Sequence, residues 1–405
     1  MSTPASLSLP RRPDINLKPF GVALFLIIIG ALYLAQVVSG RQATLYIIGA
    51  LLGVTLYHAA FGFTSAWRVF IADGRGAGLR AQMVMLAVGV ALFFPALSAG
   101  TLFGTPVTGL VSPAGTSVIV GAFIFGIGMQ LGGGCASGTL YTVGGGSTRM
   151  IVTLLFFIVG SLVGTAHMPF WTSMPQLAPI SMVKELGAAP ALALNWTVFA
   201  LIAIVTIVVE KRRHGKLVAA HVQPQHASPW LHGPWPLLAG AIALVLLNLA
   251  TLALAGRPWG VTSAFALWGA KAADFVGIDV AGWTYWSAKA NAAALAAPIS
   301  QDVTSVMDIG IVLGAMLAAA LAGRYAPVWR LPRRSLVAAI VGGLLLGYGA
   351  RLAYGCNIGA YFSGIVSGSV HGWLWLVFAF IGNVAGTRLR PLFGLEVERL
   401  KPTAC

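Results

Sequence analysis

Apolar runs of about 17–22 residues recur ten times along this chain, close to the ~20 residues that an α-helix needs to cross the hydrocarbon core of a bilayer. They fall near residues 20–38, 43–61, 79–97, 116–134, 149–167, 192–209, 237–254, 303–322, 335–353 and 371–390. No other feature constrains the fold as strongly, because a backbone in lipid must satisfy its hydrogen bonds internally. Composition agrees: 58% of the 405 residues are hydrophobic and 9% are charged, too few charges to cover a water-soluble surface of this size. The first run is longer than a secretory signal core, and Val37–Gly40 is a poor cleavage match, so it counts as a span. The expectation is an all-α integral membrane protein of about nine to ten transmembrane helices.

A net charge of +15 invites a nucleic-acid reading, but the positions of the charges exclude it. With the N-terminus cytoplasmic, ten spans place 19 of the 25 Lys and Arg inside. Five fall outside (Arg41, Lys184, Arg257, Lys271 and Lys289), and Arg351 lies within a span. This asymmetry is the one that orients helical membrane proteins. The basic excess therefore reports topology, with both termini expected in the cytoplasm and the bilayer as the partner.

Within the spans, one glycine-rich box occurs twice, each time around a single cysteine. Residues 119–138 read Ile-Val-Gly-Ala-Phe-Ile-Phe-Gly-Ile-Gly-Met-Gln-Leu-Gly-Gly-Gly-Cys135-Ala-Ser-Gly. Residues 340–359 read Ile-Val-Gly-Gly-Leu-Leu-Leu-Gly-Tyr-Gly-Ala-Arg351-Leu-Ala-Tyr-Gly-Cys356-Asn-Ile-Gly, with nine identities and no gap. A shorter box also repeats, as Gly62-Phe-Thr64-Ser65-Ala66 and Gly260-Val-Thr262-Ser263-Ala264. Both pairs keep the same order on either side of a polar segment, 210–236. The organisation expected is a tail and first span (1–42), a first repeat (43–209), a cytoplasmic linker (210–236), a second repeat (237–392) and a C-terminal tail (393–405). Charge makes span 116–134 run inward and span 335–353 outward, so the repeats are expected to be inverted, as in secondary transporters.

The residue types in the boxes suit an anion path. Glycine runs weaken a continuous helix by about 1 kcal/mol per residue relative to alanine. In lipid, a broken helix is tolerated only where its backbone faces protein or a water-filled cavity. The boxes therefore predict short re-entrant helices whose N-termini attract an anion, with Gly134, Gly355 and Gly62 giving backbone access. Close helix packing is the plainer account of the glycines alone. A lone cysteine in an apolar helix is usually a small buried hydrophobe. Cys135 and Cys356 at matched positions point instead to protonated, polarizable thiols facing a soft sulfur or selenium atom.

Lesser candidates surround them. Arg149 and Arg351 could draw an anion toward opposite mouths; a positive-inside anchor is the alternative for Arg149. Thr64, Ser65, Thr262 and Ser263 offer hydroxyls, with back-bonding to their own helices as the bland alternative. His58 and His371 suit structural roles, and the linker histidines lack ligand spacing. The chain has no Walker A loop, zinc-ligand pattern or nucleophile elbow, which argues against an ATP-driven pump, a metal site or an enzyme, so no cofactor is expected.

The two cysteine boxes, with Phe61-Gly-Phe-Thr-Ser-Ala-Trp-Arg68, resemble those of the YeeE/YedE sulfur-transport family of bacterial inner-membrane proteins, over about residues 43–395. That family includes thiosulfate uptake proteins built as an hourglass of inverted repeats. The resemblance implies that thiosulfate passes between cysteine thiols through S–H···S hydrogen bonds, without covalent capture. It also marks a departure: the thiosulfate carriers have a third pore cysteine where this chain has Gly62, leaving Thr64 or Ser65 as the next contact, or a different sulfur or selenium species as substrate. A rival implication is a membrane sulfur relay that forms cysteine persulfides and hands sulfur to a small cytoplasmic carrier protein.

Overall fold

The computed structural model describes residues 15–218 and 228–398. Cys405, His221, His226 and most of the terminal tails lie outside those residues. The first part of the described chain forms α1 (Leu17–Val37), α2 (Gly40–His58), α3 (Phe63–Asp73) and α4 (Ala77–Ala99). It continues through α5 (Thr116–Gly132), α6 (Ala136–Gly144), α7 (Thr148–Thr172), the short α8 (Met182–Leu186) and α9 (Ala188–His214). After the linker come α10 (Pro229–His232), α11 (Leu237–Ala255), α12 (Thr262–Phe275), α13 (Thr284–Ser287) and α14 (Lys289–Ala296). The last part holds α15 (Val303–Leu321), α16 (Arg333–Leu352), a π-helical segment (Asn357–Phe362) running into α17 (Ser363–Val366), and α18 (Val370–Leu389). Two short antiparallel pairings, Thr101–Leu102 with Thr105–Pro106 and Ala114–Gly115 with Gln176–Leu177, tie loops together.

Among the described residues, ten stretches are long and apolar enough to span a membrane, in the ten places the sequence predicts. Three of them are too long for one crossing: Gly40–Asp73 with 34 residues, Thr116–Gly144 with 29 and Arg333–Val366 with 34. A crossing takes about 20, and the surplus is a short buried helix after a break. The same long-then-short unit occurs four times: α2–α3, α5–α6, α11–α12, and α16 followed by the π segment and α17. Each break falls at one of the four boxes.

Helix packing repeats across the two halves. α2 packs on α15 as α11 packs on α4; α7 packs on α16 as α18 packs on α5; α6 meets α15 as α17 meets α4. α5 with α16, and α2 with α11, join the halves directly. Small residues permit these contacts. Side chains at Gly49, Gly53, Gly310 or Gly314 would drive into the facing backbone where α2 crosses α15, and Gly342 abuts Gly132 where α16 crosses α5. With no hydrophobic drive between helices in lipid, such close approach supplies the packing energy. α1 packs on α15 as α9 packs on α4, and both are peripheral: their most apolar windows are 17% buried, against 67% in 116–144 and 303–321.

Candidate functional site

Both internal thiols sit at breaks, each capping the short helix that follows. α5 ends on Gly133, whose φ of +94° suits a residue without Cβ, and Cys135 then starts α6. The Gly138 amide donates to Cys135 Sγ at 3.4 Å, and Ser137 Oγ lies 3.4 Å from the same sulfur. In the second half Gly355, at φ +155°, turns the chain into Cys356, and the Ile358 amide donates to Cys356 Sγ at 3.4 Å. Both cysteines are free and buried, and they lie within electrostatic range of each other. Each sulfur occupies the place an oxygen usually takes at a helix N-cap, where unpaired amides and the positive end of the dipole converge.

The glycines divide into two classes. Gly121, Gly126, Gly128, Gly342, Gly347 and Gly349 each press against a neighbouring helix backbone and account for packing. The glycines three residues after the thiols differ. A Cβ on buried Gly359 would touch nothing within 4 Å, and one on Gly138 would meet only Cys135 Sγ, at 3.4 Å. Room for a methyl group therefore lies next to Cys135 Sγ at Gly138, and at Gly359 three residues beyond Cys356. Gly134 is held by close approach, since a Cβ there would lie 3.2 Å from Gly138 C and Thr139 N.

The early boxes border the same centre. Gly62 begins α3, and Ser65 Oγ donates to Gly62 O at 3.2 Å. Gly62 and Ser65 line a cavity of about 180 Å³ with Arg75 and Gln82. Gln82 Oε1 accepts from Trp67 Nε1 at 2.9 Å and from Tyr361 Oη at 3.4 Å, which joins this cavity to the second cysteine segment. The Thr64 hydroxyl is buried with no hydrogen-bond partner. Thr262 is buried at the start of α12, and Ser263 Oγ donates to Thr304 Oγ1 at 3.1 Å.

The two arginines differ in their partners. Arg149 donates through Nη1 to Gly132 O at 2.8 Å, through Nη2 to Leu131 O at 2.6 Å, and through Nε to Ser335 Oγ at 2.9 Å. It thus satisfies the last carbonyls of α5, while also lining a cavity of about 290 Å³ with Tyr57 and Tyr141. Arg351 is 9% exposed, donates through Nη1 to Tyr285 Oη at 2.9 Å, and sits 5.9 Å from that ring's centroid. Its Nε has no partner.

Several central polar residues were not among the sequence candidates. Asn357, directly after Cys356, is fully buried with neither side-chain atom hydrogen-bonded. Asp308 on α15 is fully buried with both carboxylate oxygens unpartnered. A carboxylate inside an apolar span was a readable signal for Asp308. Asn357 stands where the first box has Ala136, so the repeat did not single it out. Gln130 joins the first box to its neighbours, donating to Asn383 Oδ1 at 2.6 Å and to Thr64 O at 3.3 Å. Arg68 reaches Gln130 Oε1 at 3.4 Å and holds Glu398 with two bonds of 2.5 and 2.6 Å. Burial alone would raise the Glu398 pKa, but the Arg68 guanidinium outweighs it and leaves the carboxyl below its usual range. Among the described residues no cluster of His, Cys, Asp or Glu could hold a metal ion.

Two like halves that meet at broken helices in a span-rich protein define a membrane transporter. The chain belongs to the Sulphur transport family, whose model matches residues 58–385. It is similar to the thiosulfate transporter TsuA of Spirochaeta thermophila, 28% identical over 83% of this chain and 95% of that protein. TsuA of Escherichia coli is 27% identical over 83% of this chain and 91% of its own length. The probable transporter YedE of E. coli is 32% identical over 45% of this chain, and that match spans less than half of YedE.

Proposed function

We propose that this protein imports a small sulfur-containing anion, thiosulfate first, along a central path that passes Cys135 and Cys356. The observation that carries the reading is the matched pair of buried thiols, each at the N-terminus of a short helix whose glycine three residues on leaves room for a Cβ. A polarizable thiol suits the terminal sulfur of thiosulfate, and helix-end amides suit its charge. The likeness to two thiosulfate transporters over most of the chain supports the same substrate class.

In this reading the repeats are inverted in a bacterial inner membrane, with both termini cytoplasmic as the Lys and Arg distribution requires. Asn357, with its free amide beside Cys356, contacts the anion's oxygens. Gly134 and Gly355 hold the breaks open, Thr64 takes over where the third thiol is missing, and Gly62 leaves the cavity beside it unobstructed. Thr262 plays the corresponding part at the other mouth. Arg351 supplies positive potential from within a box; Arg149, occupied by carbonyls, contributes charge without direct contact.

The test is uptake of sulfur-labelled thiosulfate into proteoliposomes by wild type, Cys135→Ala and Cys356→Ser. Uptake lost in both variants with the fold retained is the expected result; wild-type rates in either one would sink the relay. A cysteine that gains the mass of one sulfur during turnover would replace hydrogen-bonded passage with the persulfide route and its carrier-protein partner.

A further inference from the structure

The thiols and helix ends account for an anion but leave Asp308 without a use. This residue sits in the first turns of α15, 0% exposed, and neither oxygen has a hydrogen-bond or ion-pair partner. An ionised carboxylate there would carry a desolvation penalty of several kcal/mol with nothing to offset it. A structural carboxylate is normally paired, and unpaired ionisable groups inside spans mark ion and proton pathways.

Its helix packs against the cysteine segments. α15 lies on α6, the short helix that Cys135 caps, and α6 meets the π segment that follows Cys356. One turn before Asp308 on the same helix face, Thr304 Oγ1 accepts from Ser263 Oγ at 3.1 Å and from Arg257 Nη2 at 3.3 Å. Thr304 thus ties exposed Arg257 and the second early box together one turn from the carboxylate.

The other ionisable groups near it are few. Asp302 on its own helix caps α15 through the Ser305 amide and adds only negative charge. Of the packed helices, α1 carries Lys18 and Tyr33; α2 carries Arg41, Tyr46, Tyr57 and His58; α6 carries Tyr141; α10 carries His232; and α12 carries Lys271 and Asp274. Tyr46 donates to Leu26 O and Lys271 to Leu295 O and Ala297 O, away from the carboxylate. No cation among the described residues pairs with Asp308.

We propose that Asp308 is a proton-binding site that couples anion entry to proton entry. The inference rests on the anion path above. While ionised, Asp308 repels an anion approaching Cys356; once it takes a proton from water, the anion can pass, and the proton leaves on the far side with it. No bond other than O–H forms or breaks. The reaction is symport of one proton with each anion.

Two measurements test it. In proteoliposomes clamped at zero voltage, one pH unit of inward proton gradient should raise the thiosulfate accumulated by wild type on the order of tenfold, as one coupled proton requires. A lumenal dye should also report acidification when thiosulfate is added without a gradient. Thiosulfate uptake with no proton movement and no response to the gradient overturns coupling, as does accumulation driven by a sodium gradient in its place. The second measurement is infrared difference spectroscopy, which needs no transport. Wild type at neutral pH should show a protonated-carboxyl band that Asp308→Asn removes and Asp308→Glu shifts, each in folded protein judged by its amide bands. The same band persisting unchanged in both variants, or no such band in wild type, removes Asp308 from the role. A wild type inert to thiosulfate would fail the transport reading alone, while the infrared result still decides whether Asp308 holds a proton.

Discussion

The two cysteine boxes share a sequence pattern and a backbone plan, but they differ in how completely their polar groups are satisfied. Around Cys135 everything has a partner: Ser137 and Gly138 meet the sulfur, Thr139 donates to Cys135 O, and Arg149 closes the carbonyls of α5. Around Cys356 the helix is wound as a π segment, Asn357 has no partner on either atom, and Arg351 leaves Nε free. A π turn inside a helix frequently marks a functional site. Buried polar groups are nearly always hydrogen-bonded, so the free atoms of Arg351 and Asn357 in the second box are capacity open to a ligand. Under the proposed function, the first box would build the path and the second would recognise what moves along it.

The contrast can be broken in order of expected effect. Filling the room at Gly359 should do the most damage: Gly359→Val should cut thiosulfate uptake by more than an order of magnitude. The milder Gly359→Ala should leave thermal stability unchanged, because its Cβ meets no atom. Next comes Asn357→Leu, which should raise the KM for uptake about 10- to 100-fold, the worth of a hydrogen bond to a charged group. The same change should hold or raise stability, since it deletes a buried unsatisfied amide. A fall in stability with KM unmoved would make Asn357 structural.

The arginines should separate along the same line. Arg149→Ala removes three bonds to α5 and Ser335 and should destabilise by about 1–3 kcal/mol, read as a lowered Tm in detergent, with uptake per folded molecule reduced less than in Arg351→Met. Arg351→Met keeps the bulk and should lower uptake at low thiosulfate while leaving Tm near wild type. Reversed outcomes would exchange the parts assigned to the two boxes.

The smallest effect concerns Glu398 and Arg68, beyond the boxes. The folded-state pKa of Glu398 is lowered, so the pair's contribution is complete above the ordinary carboxylate value of about 4.3 and is lost as pH falls through the lower folded value. With Glu398 46% exposed, Glu398→Gln should cost no more than about 1 kcal/mol at neutral pH, and nothing once pH lies below both values.

Much of this architecture was legible before any coordinates. All ten spans fall where apolar length puts them, because the hydrocarbon core sets a length that sequence can display directly. The four boxes mark the four breaks, since Gly133 and Gly355 need backbone angles that other residues avoid. The uses of the individual glycines were not legible: Gly342 and Gly359 look alike in sequence, yet one abuts Gly132 and the other faces open space. Arg149 and Arg351 looked equivalent for the same reason, because a charge reveals nothing about which carbonyls or rings surround it. Asp308 lies outside the repeated boxes, and its value lies in having no partner, which only packing reveals.

The most direct test of the central claim is labelled-thiosulfate uptake in proteoliposomes for wild type, Cys135→Ala and Cys356→Ala, each checked for folding by size-exclusion profile and Tm. The account predicts robust uptake by wild type and background uptake by both variants. Wild-type rates in either well-folded variant would contradict it, because a path that bypasses one thiol is not a path between two.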